Sequence, residues 1–312
     1  MPGLLVQTLI THQGKVLLGR WRSGSLAGRV TGLLGQASVP DVQHRFQPEI
    51  AAIGVCRDLL GADVVANVDP RRLRRRGLFS FKENDVSTGV AAELGETYVE
   101  HQLVLKLTSE EAQGLNLAPS ESFEPIGWFE RGSVPFKEMP EDDEVWYDSV
   151  VFDDKTIRGS FVFNGTKLLE HQLEDVDPCS GLCDPIGTIG SSPEVPVLLH
   201  NPACSKSRGL KEALESKSVE FSERNYLQDP LSISELEVLK ARLEASGLQD
   251  AAAAMCRRTE EVERLKGTAD AEAAILEFLV ATPSELQRPA LLVGQQAALG
   301  RPSAKDALRL LD

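Results

Sequence analysis

Cysteine is scarce: Cys56, Cys179, Cys183, Cys204 and Cys256 are the only five in 312 residues. So few scattered thiols exclude a disulfide-stapled scaffold. Cys179 and Cys183 have no second pair, which excludes a four-cysteine zinc site and leaves them as incidental thiols. No stretch reaches the ~18 consecutive apolar residues that a membrane helix needs. The start, Met1-Pro2-Gly3-Leu4-Leu5-Val6, lacks the basic segment that leads into a secretory signal. Positive charge is also short. Lys plus Arg number 33 against 47 Asp plus Glu, a net charge of −14. Phosphates would be repelled by most of that surface, which argues against nucleic acid as a partner. A membrane is not expected as a partner either, and the reduced thiols predict a cytoplasmic protein.

The length suggests about two domains. Residues 1–173 read as the first. They open with strands over Leu4–Ile10 and Lys15–Leu18 joined at Gln13-Gly14, a hairpin signal. A helix is expected from Gln47-Pro48 to about Leu60, with proline near its start and Gly61 past its end. Further strands fall near Gly77–Phe81, Thr97–Leu107 and Gly127–Phe129, and a helix over Asp142–Val151. A last hairpin turns at Asn164-Gly165. The Arg71–Arg76 run reads as a solvated loop. Residues 174–194 collect turn formers without an apolar period and read as a linker. Residues 195–312 read as a second α/β domain: strand Val197–Leu199, helix Ser205–Lys217, strand Val219–Tyr226, helices Glu235–Ala245 and Asp270–Val280, strand Ala290–Val293 and helix Ser303–Leu311.

The segment His200-Asn-Pro-Ala-Cys204-Ser-Lys-Ser-Arg208 sits where a strand hands over to a helix. The first N–H groups of a helix have no partner within it, and its dipole places about half a positive charge there. A thiol at that position is acidified, and the same N–H groups attract an anion. His200, Lys206 and Arg208 are expected to add positive charge. Ser207 stands three residues after Cys204, so a nearby resolving thiol is missing, and an external thiol must complete any reduction. Cys256 is the one internal candidate for that task, though a cysteine beside an apolar methionine is more often packed.

These residues carry a resemblance. The second domain resembles the arsenate reductases of the thioredoxin-like fold that are coupled to glutathione and glutaredoxin. The His200–Arg208 loop, Tyr226-Leu-Gln-Asp-Pro230, Met255-Cys-Arg257-Arg-Thr-Glu-Glu, Arg288-Pro289 and Gly300-Arg301-Pro302 bear it. The resemblance implies that Cys204 is a nucleophile, that Arg257, Arg288 and Arg301 clamp an oxyanion, and that His200 keeps the thiol ionised. Asn201, Ser205, Lys206, Ser207 and Arg208 then form the oxyanion loop. Arg258 is a rival to Arg257. The chemistry agrees, because an anionic nucleophile meets an anionic substrate only where fixed cations neutralise both, and arginine gives paired bonds to tetrahedral oxyanions.

The first domain resembles Nudix hydrolases, nearest to those that cleave oxidised purine nucleoside triphosphates. Lys15-Val-Leu-Leu-Gly19, Ala27-Gly-Arg29, Gly127-Trp-Phe129, Pro135-Phe-Lys-Glu-Met139, Asp142-Asp143 and Gly159-Ser-Phe-Val-Phe163 carry this likeness. It implies an α/β/α sandwich. That family holds magnesium through several glutamates on one helix. Here the box begins at Gly35 with Asp41 following, and the helix reads Gly54-Val-Cys-Arg-Asp58-Leu-Leu-Gly61, where Asp58 alone keeps an acid. Magnesium is therefore expected only if the domain hydrolyses nucleotide, and Asp58 is a weak ligand candidate. Asp142, Asp143 and Thr31 occupy nucleotide-reading positions, although acids at a helix start also serve as caps. Pro140 replaces a stacking tryptophan. Trp128 and Phe129 read as core. The leading expectation is thiol-dependent arsenate reduction. The alternatives are a non-catalytic module that binds a nucleotide or protein, and a metal-dependent pyrophosphate hydrolase.

Overall fold

The computed structural model describes residues 3–36, 48–61, 68–85, 87, 90–115, 117–176, 195–301 and 303–311. Asp41, Cys179 and Cys183 lie outside them. The described residues fall into two α/β units, the first ending at Val176 and the second beginning at 195. No helix among them is long and apolar enough to cross a membrane.

The first unit contains strands β1 (Gly3–His12), β2 (Lys15–Trp21), β3 (Val30–Thr31), β4 (Leu33–Gln36), β5 (Arg74–Glu83), β6 (Thr97–Lys106), β7 (Phe123–Glu130), β8 (Ile157–Asn164) and β9 (Lys167–Asp175). Its helices are α1 (Pro48–Leu60), α2 (Ala91–Leu94), α3 (Ser109–Gly114) and α4 (Asp143–Val151). The strands form one mixed sheet in the order β3-β2-β1-β6-β5-β8-β9, with β4 on β1 and β7 on β2. Side chains alternate along β1, and this sorts the core into two layers. Val6 and Ile10 pack with Ala52, Ile53, Cys56 and Leu59 of α1. Leu5 and Leu9 share the opposite layer with Trp146, Tyr147 and Val150 of α4. The close fit of α1 requires a glycine: a Cβ on Gly35 would stand 2.6 Å from Val55. Gly61 ends the helix at φ 97°, where its N–H bonds Arg57 O.

Two expectations are corrected here. Residues 174–175 belong to β9, where Arg158 faces Glu174 and Ile157 faces Asp175 across the ladder with β8. Backbone pairing holds this polar strand, so its sequence resembles a linker. The Arg71–Arg76 run is likewise not a solvated loop. Arg74–Arg76 enter β5, and the guanidinium groups are taken by acids: Arg71 on Asp69, Arg72 on Glu111, Arg75 on buried Glu49 at 2.7 Å, and Arg76 on Asp154 at 2.7 Å.

The second unit contains β10 (Val197–His200), α5 (Ser205–Ser216), β11 (Ser222–Asn225), α6 (Ile233–Ala245), α7 (Ala251–Met255), α8 (Thr259–Leu265), α9 (Ala271–Ala281), β12 (Ala290–Val293), β13 (Gln296–Leu299) and α10 (Ala304–Leu308). The sheet order is β11-β10-β12-β13. The β10 and β11 strands are parallel and the other two pairs antiparallel. Alternation works here too. Val197 and Leu199 join the large core under α6–α9, whereas Leu198 packs with Leu210 and Leu214 of α5. The sequence reading did not foresee α7, α8 or β13. The Gln-Ala-Ala-Leu stretch of β13 has little strand preference and is held by its hairpin with β12.

One buried cation fixes the segment after β11. Arg224 has no exposed surface; it donates to Glu235 Oε1 at 3.0 Å and to the carbonyls of Asp229 and Pro230, each at 3.0 Å. Glu235 also closes a capping box with Ser232 at the start of α6.

Candidate active site

Cys204 is the N-cap of α5, with extended backbone (φ −92°, ψ 121°). The loop before it is folded on itself. The Asn201 carbonyl accepts from the Cys204 N–H at 2.9 Å, and Asn201 Oδ1 accepts from the Ala203 N–H at 2.9 Å. Cys204 is half-buried. Burial pushes its thiol up, but the N–H groups of Ser207 and Lys206, the Ser207 hydroxyl and the charge of Arg288 outweigh this and bring it down to about 7. The thiolate is thus abundant at neutral pH.

The cations come from elsewhere in the unit. Arg257 Nη1 and Arg288 Nη1 both donate to the Ser284 carbonyl, at 3.4 and 3.1 Å. Arg301 Nε donates to the Arg288 carbonyl at 3.1 Å. The three arginines named from sequence are therefore tied into one cluster. Arg257 rather than Arg258 belongs to it, because Arg258 serves the surroundings of Cys256 and Glu261. The Arg288 Nε is buried without a partner.

His200 departs from expectation. It is buried at the end of β10, and burial holds its imidazole below the usual value, against a smaller opposing pull from Glu223. Its Nε2 faces Glu223 Oε1 at 3.8 Å, and that glutamate is held by Lys211 at 2.5 Å. His200 is neutral near pH 7 and is not among the groups that acidify Cys204, so backbone N–H groups do the work assigned to it. Arg208 folds back on the loop, donating to the Pro202 carbonyl at 2.8 Å. Ser205 and Lys206 are exposed and Ser207 is buried. Cys256 is buried, and burial pushes its thiol up, so it is no ready partner for Cys204.

Tyr226 was missed as a site residue. Its ring is fully buried, and its hydroxyl lies beside the Asn201 side chain without a well-formed hydrogen bond. Burial pushes the phenol up, and the charges it feels come from Arg288, Arg257 and Cys204. A tyrosine where a strand runs into a polar loop was the available signal.

The first unit has a pocket of its own. Asp142, Asp143 and Thr31 are among the residues that line it. Thr31, however, is occupied: its hydroxyl accepts from Trp21 Nε1 at 2.8 Å and donates to the Gly32 carbonyl at 2.7 Å. Asp142 is the N-cap of α4 but makes no side-chain cap bond; Oδ2 accepts from Trp146 Nε1 at 3.2 Å. Capping does not explain it. Asp58 is exposed on α1, and its neighbour Cys56 is buried with its thiol pushed up to about 12 by burial. Among the described residues no three His, Cys, Asp or Glu side chains are grouped to hold a metal. The described residues of α1 do not fit a magnesium cage.

No family model matches the chain. The arsenate reductase of Neisseria meningitidis serogroup A is 33% identical over 113 residues, which span 35% of this chain and 92% of that protein. The solved arsenate reductase from Vibrio cholerae is 28% identical and covers 38% of this chain and 98% of its own, with a TM-score of 0.34. The MutT protein from Bacillus halodurans is 14% identical and covers 55% of this chain and 97% of its own, with a TM-score of 0.40. By the Neisseria match the chain belongs to the arsenate reductase family.

Proposed function

We propose that the second unit reduces arsenate, or an oxyanion of the same shape and charge, with Cys204 as nucleophile and an external thiol as reductant. The observation that carries this reading is the half-buried Cys204 sulfur at the head of α5, held near pH 7 by two backbone N–H groups, the Ser207 hydroxyl and Arg288. Arg257, Arg288 and Arg301 supply fixed positive charge for an anionic guest. The thiolate attacks arsenic, and one oxygen leaves as water. Reduction from the pentavalent to the trivalent state takes two electrons. Cys204 and an external thiol give one each and end as a mixed disulfide, which a second external thiol opens. Ser207 in place of a resolving cysteine supports a reductant of the glutathione class, with glutaredoxin to recover the thiol.

The test is arsenate reduction by the full chain with glutathione and glutaredoxin, beside Cys204→Ser. Loss of turnover in the variant is expected, and equal rates would reject the assignment.

A further inference from the structure

The strand order of the first unit ends on one side in the two-residue strand β3 and on the other in β9, nine residues long and paired only with β8. Eight of those nine residues are exposed. Leu169 and Leu173 are 49% and 39% exposed, two of the five large apolar side chains so placed among the described residues. A long edge strand of this kind is a template for pairing with another strand.

The ladder with β8 decides which backbone groups face the open side. The Val176 N–H donates to the Thr156 carbonyl at 2.8 Å, one step beyond the Ile157–Asp175 pair. Antiparallel pairs alternate between bonded and non-bonded. Glu174 and Gln172 therefore bond β8, while Asp175, Leu173 and His171 turn their N–H and C=O groups outward. Nearer the hairpin the edge is closed. Val162 pairs with Glu170 and Phe163 with Leu168, so Leu169 bulges, and the Leu168 N–H donates to Glu141 Oε2 at 2.8 Å. The open stretch is thus His171–Asp175. His171, Leu173 and Asp175 stand opposite Phe161, Gly159 and Ile157, so their side chains share the face that carries α4.

We infer that a second copy of this chain occupies the edge, β9 against β9 and antiparallel, with the two-fold axis at Leu173. The sequence of the strand selects both the occupant and the register. A two-fold pairing opposes each residue to its mirror position and must match outward groups with outward groups. Centred on Gln172 or Glu174, it would oppose glutamates; centred on Asp175, it would oppose aspartates. Centred on His171, it would oppose two imidazoles and draw the bulged Leu169 into the ladder. Centred on Leu173, it sets His171 against Asp175 of the second copy, Gln172 against Glu174, and the two exposed Leu173 side chains against each other. No like charges then stand opposite, and each outward residue gains a backbone partner. The strand is complementary to itself at this one centre.

The experiment is sedimentation equilibrium of the full chain at concentrations up to about 0.1 mM. Salt at about 0.3 M screens the net charge of −14 on each copy. The mass should climb toward twice that of the chain. Leu173→Pro deletes an outward N–H and no bond to β8, so its melting curve should hold while dimerisation weakens by about tenfold or more. His171→Lys should tighten the dimer and His171→Asp should loosen it, each by about threefold. Three outcomes overturn the proposal: a monomer at every concentration, a dimer that Leu173→Pro leaves at wild-type strength, or loosening by both His171 substitutions, which is the mark of a pairing centred on His171. The first and third hold even if the proline variant fails to fold.

Discussion

At the head of α5 a half-buried sulfur is brought down to about 7, while in the first unit the buried carboxyl of Glu100 is pushed up to about 8. Both groups lose water, and in both burial works against the charged form. The difference lies in what replaces the water. Cys204 meets N–H donors and Arg288; Glu100 meets Asp142 and one amide, from Gln102 at 2.5 Å. The same desolvation thus leaves a thiol acidified where donors converge and a carboxyl held in its neutral form where acceptors converge.

Cys204→Ser gives the largest expected effect. Arsenate turnover should fall by roughly a thousandfold or more, since the nucleophile is removed; steady-state assay with glutathione and glutaredoxin checks it. Arg288→Ala comes next, at about a hundredfold in turnover. It also removes a positive charge that lowers the Cys204 thiol, so the thiol rises above about 7 and less thiolate remains at neutral pH. Alkylation rate against pH reads that shift directly. An unmoved profile would break the contrast drawn above.

Glu100→Gln tests the other side. A carboxyl raised in the folded state stabilises the protein fully below its unfolded value near 4.5, and that contribution is lost as pH climbs toward about 8. Each pH unit in this window is worth about 1.4 kcal/mol. The wild type should therefore lose several degrees of Tm between these limits relative to the glutamine variant. Melting curves at both ends decide it. Tyr226→Phe gives the smallest effect. Loss of an unpartnered buried hydroxyl should leave Tm unchanged or slightly raised, while turnover falls by less than about tenfold.

Local order was legible from sequence where pattern and physics coincide. Alternation in β1, the proline and glycine bounding α1, and the strand-to-helix step at Cys204 all follow from short-range rules. The cluster of Arg257, Arg288 and Arg301 was legible through resemblance, since its three members meet at Ser284 and the Arg288 backbone across long stretches of chain. Long-range partners were hidden. Nothing near Arg75 announces Glu49, and nothing near His200 announces that burial keeps it neutral. Glu100 left a trace: it shares a phase with Tyr98 and Val104 on the inward face of β6, where a carboxyl is costly.

The guanidinium buried beneath the Tyr226–Pro230 segment bears on genetics as much as on architecture. Arg224 holds Glu235 and the carbonyls that shape this segment. Truncating it would strand a buried carboxylate, a loss on the order of 3–5 kcal/mol. A screen for dead alleles would then recover Arg224 beside Cys204, one as a heat-sensitive misfolder with poor soluble yield and the other as a well-behaved but inert protein.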